Sequence, residues 1–193
     1  ISTVCLLDYA VETGCKRFVY ASTMSVYGEQ ERKEQFSESD VAKPNSFYAV
    51  GKLASENYLR IYQEQYGIKY TALRYFNVYG EGQNLTNLKQ GMISIYLRQF
   101  VDDAFEKVEV KGSVERFRDL SHISDITSIS VESIHNQDFY NQIVNIGTGK
   151  KTKIKDILAL MKKYLKSDKE VVISEGTKGD QFGVYADVGK LNS

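Results

Sequence analysis

Leu6, Leu7, Ala10 and Val11 recur at helical spacing, and Gly14 stands where a left-handed cap closes a helix, so residues 2 to 13 predict a helix. Arg17-Phe-Val-Tyr-Ala21 then predicts a buried strand. From 22 to 45 the periodicity lapses into Ser, Gly, Glu and Lys. Pro44, the one proline, disfavours helix just before it, so this stretch reads as a long functional loop or the approach to a helix. Helical spacing returns from Ser46 to Tyr66, closed by Gly67, and an apolar strand follows from Lys69 to Arg74. Helix, strand, loop, helix, strand is the order of a parallel, helix-covered sheet.

Past a polar loop at 75 to 90, the pattern predicts a helix near 91 to 106 and a short strand Val108-Glu-Val110. A helix around 124 to 135, a strand from Gln142 to Ile146, a helix at 153 to 166 and a strand from Val171 to Ser174 follow. A soft boundary falls near residue 77, giving a sheet-forming part at 1–77 and a mixed α/β part at 78–193 with some segments returning to the sheet. The first residue is not Met and lies in a helical pattern, and Ala186-Asp187-Val188-Gly189-Lys190-Leu191 reads as the start of a helix, so both ends are expected to be cut.

The 193 residues allow one domain with a sizeable core or part of a larger one. Apolar residues make up 42% and charged residues 26%, a globular rather than disordered composition. The 25 basic and 25 acidic side chains cancel, and no Lys/Arg run of six occurs, so neither nucleic acid nor an anionic membrane is the expected partner; a small molecule is. Cys5 and Cys15 lack any ligand spacing and are expected to be buried small apolar residues in a reducing compartment, without a metal site. Apolar stretches fall far short of the ~20 residues that span a bilayer, and no leader pattern opens the chain, so a cytoplasmic location is expected.

Candidate chemistry centres on Tyr48-Ala-Val-Gly-Lys52. Residues four apart share a helix face, so the lysine ammonium can sit near the phenol, and a nearby cation favours phenolate. Alone, the motif is weak, and on a chain with 14 tyrosines it reads first as a half-buried amphipathic helix with a surface lysine. In Val19-Tyr-Ala-Ser22-Thr23-Met-Ser25-Val-Tyr27-Gly28 an apolar strand runs out into hydroxyls at its carboxyl end, where ligands of open α/β sheets bind; ordinary turn chemistry is the alternative. A further strand ends in Leu73-Arg-Tyr-Phe-Asn77, again with polar groups at its tip.

These motifs occur in order with Pro44 four residues before Tyr48, Arg118-Asp119 followed by Asp125, Asn145-Ile-Gly147-Thr-Gly149, and Gly179-Asp180 before Tyr185-Ala-Asp187. Together they resemble the extended short-chain dehydrogenases/reductases, and within them the NAD-dependent nucleotide-sugar epimerases typified by UDP-glucose 4-epimerase. The resemblance covers essentially the whole chain. It implies a Rossmann-like parallel sheet, with the amino-terminal half missing from this chain, and a smaller mixed α/β substrate-binding region. It implies epimerisation of a UDP-linked hexose at C4 through a transient keto sugar, with a keto-sugar reductase or an inactive sugar-nucleotide binder as alternatives. NAD is the implied cofactor, and a homodimer paired through the helices at 2 to 13 and 46 to 66 is plausible on the same ground.

Residue by residue, the resemblance implies that Tyr48 is the acid/base, that Lys52 supports its ionised form and holds the nicotinamide ribose, and that Thr23 hydrogen-bonds the sugar hydroxyl to be oxidised, with Ser25 in support. Phe76 lies where the main chain meets the nicotinamide end. Asn77 and Arg118 fall on diphosphate-binding positions, Glu109 to Lys111 on the strand bordering the nucleotide base, and Asp180 on a ribose contact. On local sequence alone, Arg118 is equally a surface charge beside Arg116.

Met24 and Ser25 stand where family dehydratases carry an Asp-Glu pair, which argues against 4,6-dehydration. Thr177, with Lys178 beside it, stands where an arginine is frequent. The Gly-x-x-Gly-x-x-Gly phosphate fingerprint is absent; about three βα units of ~30 residues each, roughly 90 residues, would hold it. Gly147-Thr-Gly149-Lys-Lys-Thr152 does not replace it, since its spacing fails the P-loop pattern, and it reads as a structural turn. His122 and His135 are far apart, and with no Gly-x-Ser-x-Gly elbow a hydrolase triad is not expected.

Overall fold

The computed structural model describes residues 2–30, 33–88, 91–176 and 182–193. Its first half runs α1 (Ser2–Glu12), β1 (Arg17–Thr23), a 3₁₀ turn (Met24–Tyr27), β2 (Gln35–Phe36), α2 (Phe47–Tyr66), β3 (Lys69–Tyr75) and β4 (Asn77–Tyr79). Then come α3 (Met92–Val101), β5 (Lys107–Lys111), β6 (Phe117–Arg118), β7 (Leu120–His122), α4 (Ile123–His135) and β8 (Gln142–Ile146). The chain ends with β9 (Thr152–Lys153), α5 (Ile154–Leu165), β10 (Glu170–Ser174) and β11 (Tyr185–Ala186).

The central sheet is parallel, in the order β1-β3-β8. Alternation along its strands sorts side chains to two faces. Phe18, Tyr20, Tyr70, Ala72 and Ile143 meet Leu7 of α1 and Leu59 of α2 on one face. Val19, Leu73, Tyr75, Val144 and Ile146 meet Ile126 of α4 on the other. Both faces being covered explains the near-continuous apolar runs that define these strands in the sequence. Each fully buried leucine, Leu7, Leu59 or Leu73, contributes about 1.5–3 kcal/mol.

Beside this sheet, β5 and β10 pair in parallel and are packed by α3 and α5 around Tyr96, Phe100, Val108, Val110, Ile154 and Leu158. Strict alternation in β5 buries Val108 and Val110 and leaves Glu109 and Lys111 exposed. Short pairings knit the remainder: β2 with β11 and β4 with β7 in parallel, β6 with β9 antiparallel. Among the described residues, no helix is long and apolar enough to cross a membrane.

Several sequence expectations need correction. Cys5 and Cys15 are exposed free thiols, not core residues: Cys5 lies on the outer side of α1, and Cys15 is in the turn after it, its thiol donating to the Arg17 carbonyl at 3.1 Å. Residues 186–191 do not start a helix; Ala186 is in β11, with Tyr185 N–H donating to the Glu34 carbonyl and Asp187 N–H to that of Phe36. The helix expected to reach 106 stops at Val101, because the Asp102 carboxylate accepts from Ala104 N–H at 2.9 Å and turns the chain. The loop at 22–45 holds a 3₁₀ turn and β2.

Candidate active site

The register aligns Thr23 of β1 with Tyr75 of β3, and Tyr75 with Ile146 of β8. Three motifs that are far apart in sequence therefore leave the sheet at one level: Thr23-Met-Ser25, Phe76-Asn77 and Gly147-Thr-Gly149. This is the carboxyl end of a parallel sheet, the end at which open α/β folds bind ligands. Buried Thr23 caps the 3₁₀ turn, its hydroxyl accepting from Ser25 N–H and donating to Ser25 Oγ, both at 3.2 Å. Gly28 ends that turn at φ 63°, and a Cβ there would overlap the Lys43 carbonyl oxygen, so this position of the motif admits only glycine.

Helix α2 brings the Tyr/Lys pair beside the tip of β1. Ser46 caps it, its hydroxyl accepting from Ala49 N–H at 3.2 Å, which sets Tyr48 in the first turn. Lys52 Nζ donates to the Ala21 carbonyl at 2.8 Å, two residues before Thr23, and lies 4.8 Å from the Tyr20 ring centroid and 5.7 Å from that of Tyr48. Tyr48 is 59% exposed, so its phenol is open to an incoming molecule.

A second group of predicted residues lines a cleft of about 1140 Å³ between α3, β5, β6 and β10. Glu109, Lys111 and Arg118 all border it, and so does Arg116, which sequence reading left as a mere neighbour. Both arginines are buried, so the surface-charge alternative for Arg118 fails. Arg118 donates to the carbonyls of Phe117 at 2.7 Å and Phe182 at 3.2 Å; burial first, and the Arg116 charge second, push its pKa down to about 10. Gln99 holds β5 in place, accepting from Glu109 N–H at 2.6 Å.

Asn77 links the two groups. Its main-chain and side-chain N–H groups both donate to the Asp119 carbonyl, at 3.0 and 3.1 Å, directly after Arg118. Phe76 packs its ring with Val26, Tyr27 and Phe36, and its N–H donates to the Ile146 carbonyl at 3.0 Å. The cleft lining does not include Thr23, Tyr48, Lys52, Phe76 or Asn77. Asp180 lies outside the described residues, as do Thr177 and Lys178.

The Gly147-Thr-Gly149 turn wraps a carboxylate of the chain itself. Asp119, fully buried, accepts from Thr148 N–H and Oγ1 on one oxygen, at 2.8 and 2.6 Å, and from Gly149 and Ala186 N–H on the other, both at 3.0 Å. A structural turn is what the spacing predicted, but the sequence held no sign of what it encloses. His122 likewise has a local task, its Nδ1 accepting from Ser124 N–H at the start of α4. Among the described residues, no group of three or more His, Cys, Asp or Glu could hold a metal ion.

A helix-covered parallel sheet with hydroxyls and a Tyr/Lys helix at its strand tips defines a Rossmann-like α/β protein. Residues 1–147 match the model of the NAD dependent epimerase/dehydratase family, and the chain belongs to that family. It is similar to the UDP-glucose 4-epimerase of Thermotoga maritima solved with UDP-glucose, with TM-score 0.92 and 30% identity over 98% of this chain and 60% of that one. It is similar, too, to the Thermus thermophilus UDP-glucose 4-epimerase solved with NAD, with TM-score 0.87 and 26% identity over 98% of this chain and 61% of that one. The dTDP-4-dehydro-6-deoxyglucose reductase of Escherichia coli is 32% identical over 89% of this chain and 52% of its own length. The chain thus spans roughly half to three fifths of these relatives.

Proposed function

We propose that this protein is an NAD-dependent epimerase that inverts C4 of a UDP-linked hexose. One observation carries the reading: Lys52, 5.7 Å from the Tyr48 ring centroid, donates to the Ala21 carbonyl two residues before Thr23, so the Tyr48/Lys52 face of α2 lies against the strand that carries Thr23. In this assignment Thr23 orients the sugar hydroxyl and Tyr48 takes its proton. Lys52 supports the ionised phenol, and Tyr48 returns the proton once the keto sugar has turned over.

The residues present fit the nicotinamide end of a dinucleotide. Lys52 spends one N–H on Ala21 and has others for a ribose, Tyr48 is open, and Phe76 supplies main chain at the neighbouring strand tip. When bound, that cofactor accepts a hydride from the sugar carbon and gives it back. Met24 and Ser25, in place of an acidic pair, leave Thr23 without the groups needed to eliminate water.

Asn77 and Arg118 are assigned to the diphosphate, Glu109 and Lys111 to the base, and Asp180 to the ribose. A dianion beside Arg118 offsets both influences that lower its pKa, burial and the Arg116 charge. Charge-assisted hydrogen bonds contribute about 1.5–3 kcal/mol, so Arg118→Gln should weaken UDP-hexose binding about tenfold to a hundredfold. Calorimetric titration checks this, and an unchanged Kd would reject the assignment.

The activity test uses the full-length protein. Interconversion of UDP-glucose and UDP-galactose without consumption of added cofactor supports the epimerase. The resemblance to a dTDP-4-dehydro-6-deoxyglucose reductase favours a second reading, which stoichiometric NADPH oxidation with a keto sugar would establish. Tight binding without turnover would mark a sugar-nucleotide binder.

We assign subunit pairing to α1 and α2, which pack together and expose Leu6, Tyr9 and Tyr66. Tyr9, 64% exposed, is the position to test. Tyr9→Glu should convert a dimer into monomers in analytical ultracentrifugation; a variant that stays dimeric, or a monomeric parent, refutes the assignment.

A further inference from the structure

One turn beyond Lys52, helix α2 carries a carboxylate where none is expected. Glu56 is 3% exposed. It accepts from Ser22 Oγ at 2.5 Å, from Arg74 Nε at 3.0 Å and from Arg74 Nη2 at 2.7 Å. Arg74, in β3, is equally buried and sits 4.8 Å from the Tyr27 ring centroid; Tyr27 in turn donates to Asn145 Oδ1 at 2.6 Å. The Asn145 amide donates to the Phe36 carbonyl at 2.8 Å. Burial alone would lower the Arg74 pKa, but the Glu56 hydrogen bonds, together with the influence of Tyr27 and the Glu56 charge, outweigh it, so the guanidinium is held firmly cationic.

Two features separate this network from ordinary core packing. A buried ion pair seldom stabilises more than apolar side chains of the same size would, so stability alone is a weak reason for one here. A guanidinium-carboxylate fork also has a single favourable geometry, unlike an apolar contact, and therefore fixes rotation and axial position together. Successive turns of α2 are stitched to successive residues of β1, with Lys52 on Ala21 and Glu56 on Ser22, and the next residue is Thr23.

We infer that Glu56, held between Ser22 and Arg74, is a positioning residue that sets the Tyr48/Lys52 face of α2 against Thr23. The inference rests on the acid/base role proposed for Tyr48. Misplacing a catalytic group by about 1 Å can cost a hundredfold in rate.

The test compares Glu56→Gln, Ser22→Ala, Tyr48→Phe and the Glu56→Gln/Tyr48→Phe double variant of the full-length protein with UDP-hexose and NAD. All are assayed well below their measured unfolding temperatures. Glu56→Gln should lower kcat about tenfold to a hundredfold with KM changed by less than about threefold. Ser22→Ala, which leaves the ion pair in place, should give a smaller fall of the same kind and decides the matter if Glu56→Gln does not fold. In the Tyr48→Phe background, Glu56→Gln should have almost no further effect, because its influence passes through the phenol. Unchanged kcat in both single variants, a matching rise in KM, or additive losses in the double variant would overturn the inference. Full turnover by Tyr48→Phe alone would remove the acid/base reading, and the inference with it.

Discussion

Tyr48→Phe should lower kcat of the full-length protein about a hundredfold to ten-thousandfold, the usual contribution of a positioned acid/base group. Only an oxygen is removed. The ring stays, and so does its 5.7 Å approach to Lys52 Nζ, because Lys52 is held by the Ala21 carbonyl rather than by the phenol. The side chain is more than half exposed and, among the described residues, no hydrogen bond anchors its hydroxyl, so stability should move by less than about 0.5 kcal/mol. KM for the UDP-hexose should change little, since the diphosphate and base are assigned to Asn77, Arg118, Glu109 and Lys111. Steady-state kinetics with a parallel thermal melt separate these quantities. Turnover at the parental rate would leave the strand-tip constellation without its central role.

How much of this arrangement could be read without coordinates depends on where each element draws its stability. Strands β1, β3 and β8 bury apolar side chains on both faces, and α2 sets Leu59 and Tyr62 against one of them, so the periodicity of the sequence is nearly their structure. Strands of two or three residues, such as β2 and β11, have no period to detect: Gln35 meets Tyr185 only because the chain returns across the fold. Candidate site residues were visible when an ordered motif contained them, as with Thr23, Tyr48, Lys52 and Arg118. Glu56 was not visible, because a glutamate on a helix ordinarily faces water, and its partners Ser22 and Arg74 come from two different strands. Arg116 escaped for a related reason: nothing local says that a charged pair at 116 and 118 will be buried beside a cleft.

Asp119→Ala should destabilise the protein by about 4 kcal/mol or more. The carboxylate is the common acceptor for Thr148 N–H and hydroxyl, Gly149 N–H and Ala186 N–H, and it is sealed from solvent. Each buried donor left unsatisfied costs about 1–3 kcal/mol, and water entering the space would recover part of the sum. Asp119→Asn is the sharper comparison: it fills the same volume but turns one acceptor into an NH₂ group facing main-chain donors, so it should lose almost as much. Gly147→Ala attacks the same junction from the other side, since its Cβ would lie 2.7 Å from both Asp119 Oδ2 and the Ala186 Cβ. Chemical denaturation of the three variants provides the check, and a loss below about 1 kcal/mol for Asp119→Ala would refute the role of the carboxylate. Function should fall with stability here. Arg118 precedes Asp119, and Asn77 donates twice to the Asp119 carbonyl, so loosening this junction should raise the Kd for UDP-hexose before the protein unfolds. In the proposed assignment, Asn77 and Arg118 share one diphosphate only while the Asp119 carboxylate holds the tip of β8, the 147–149 turn and β11 together.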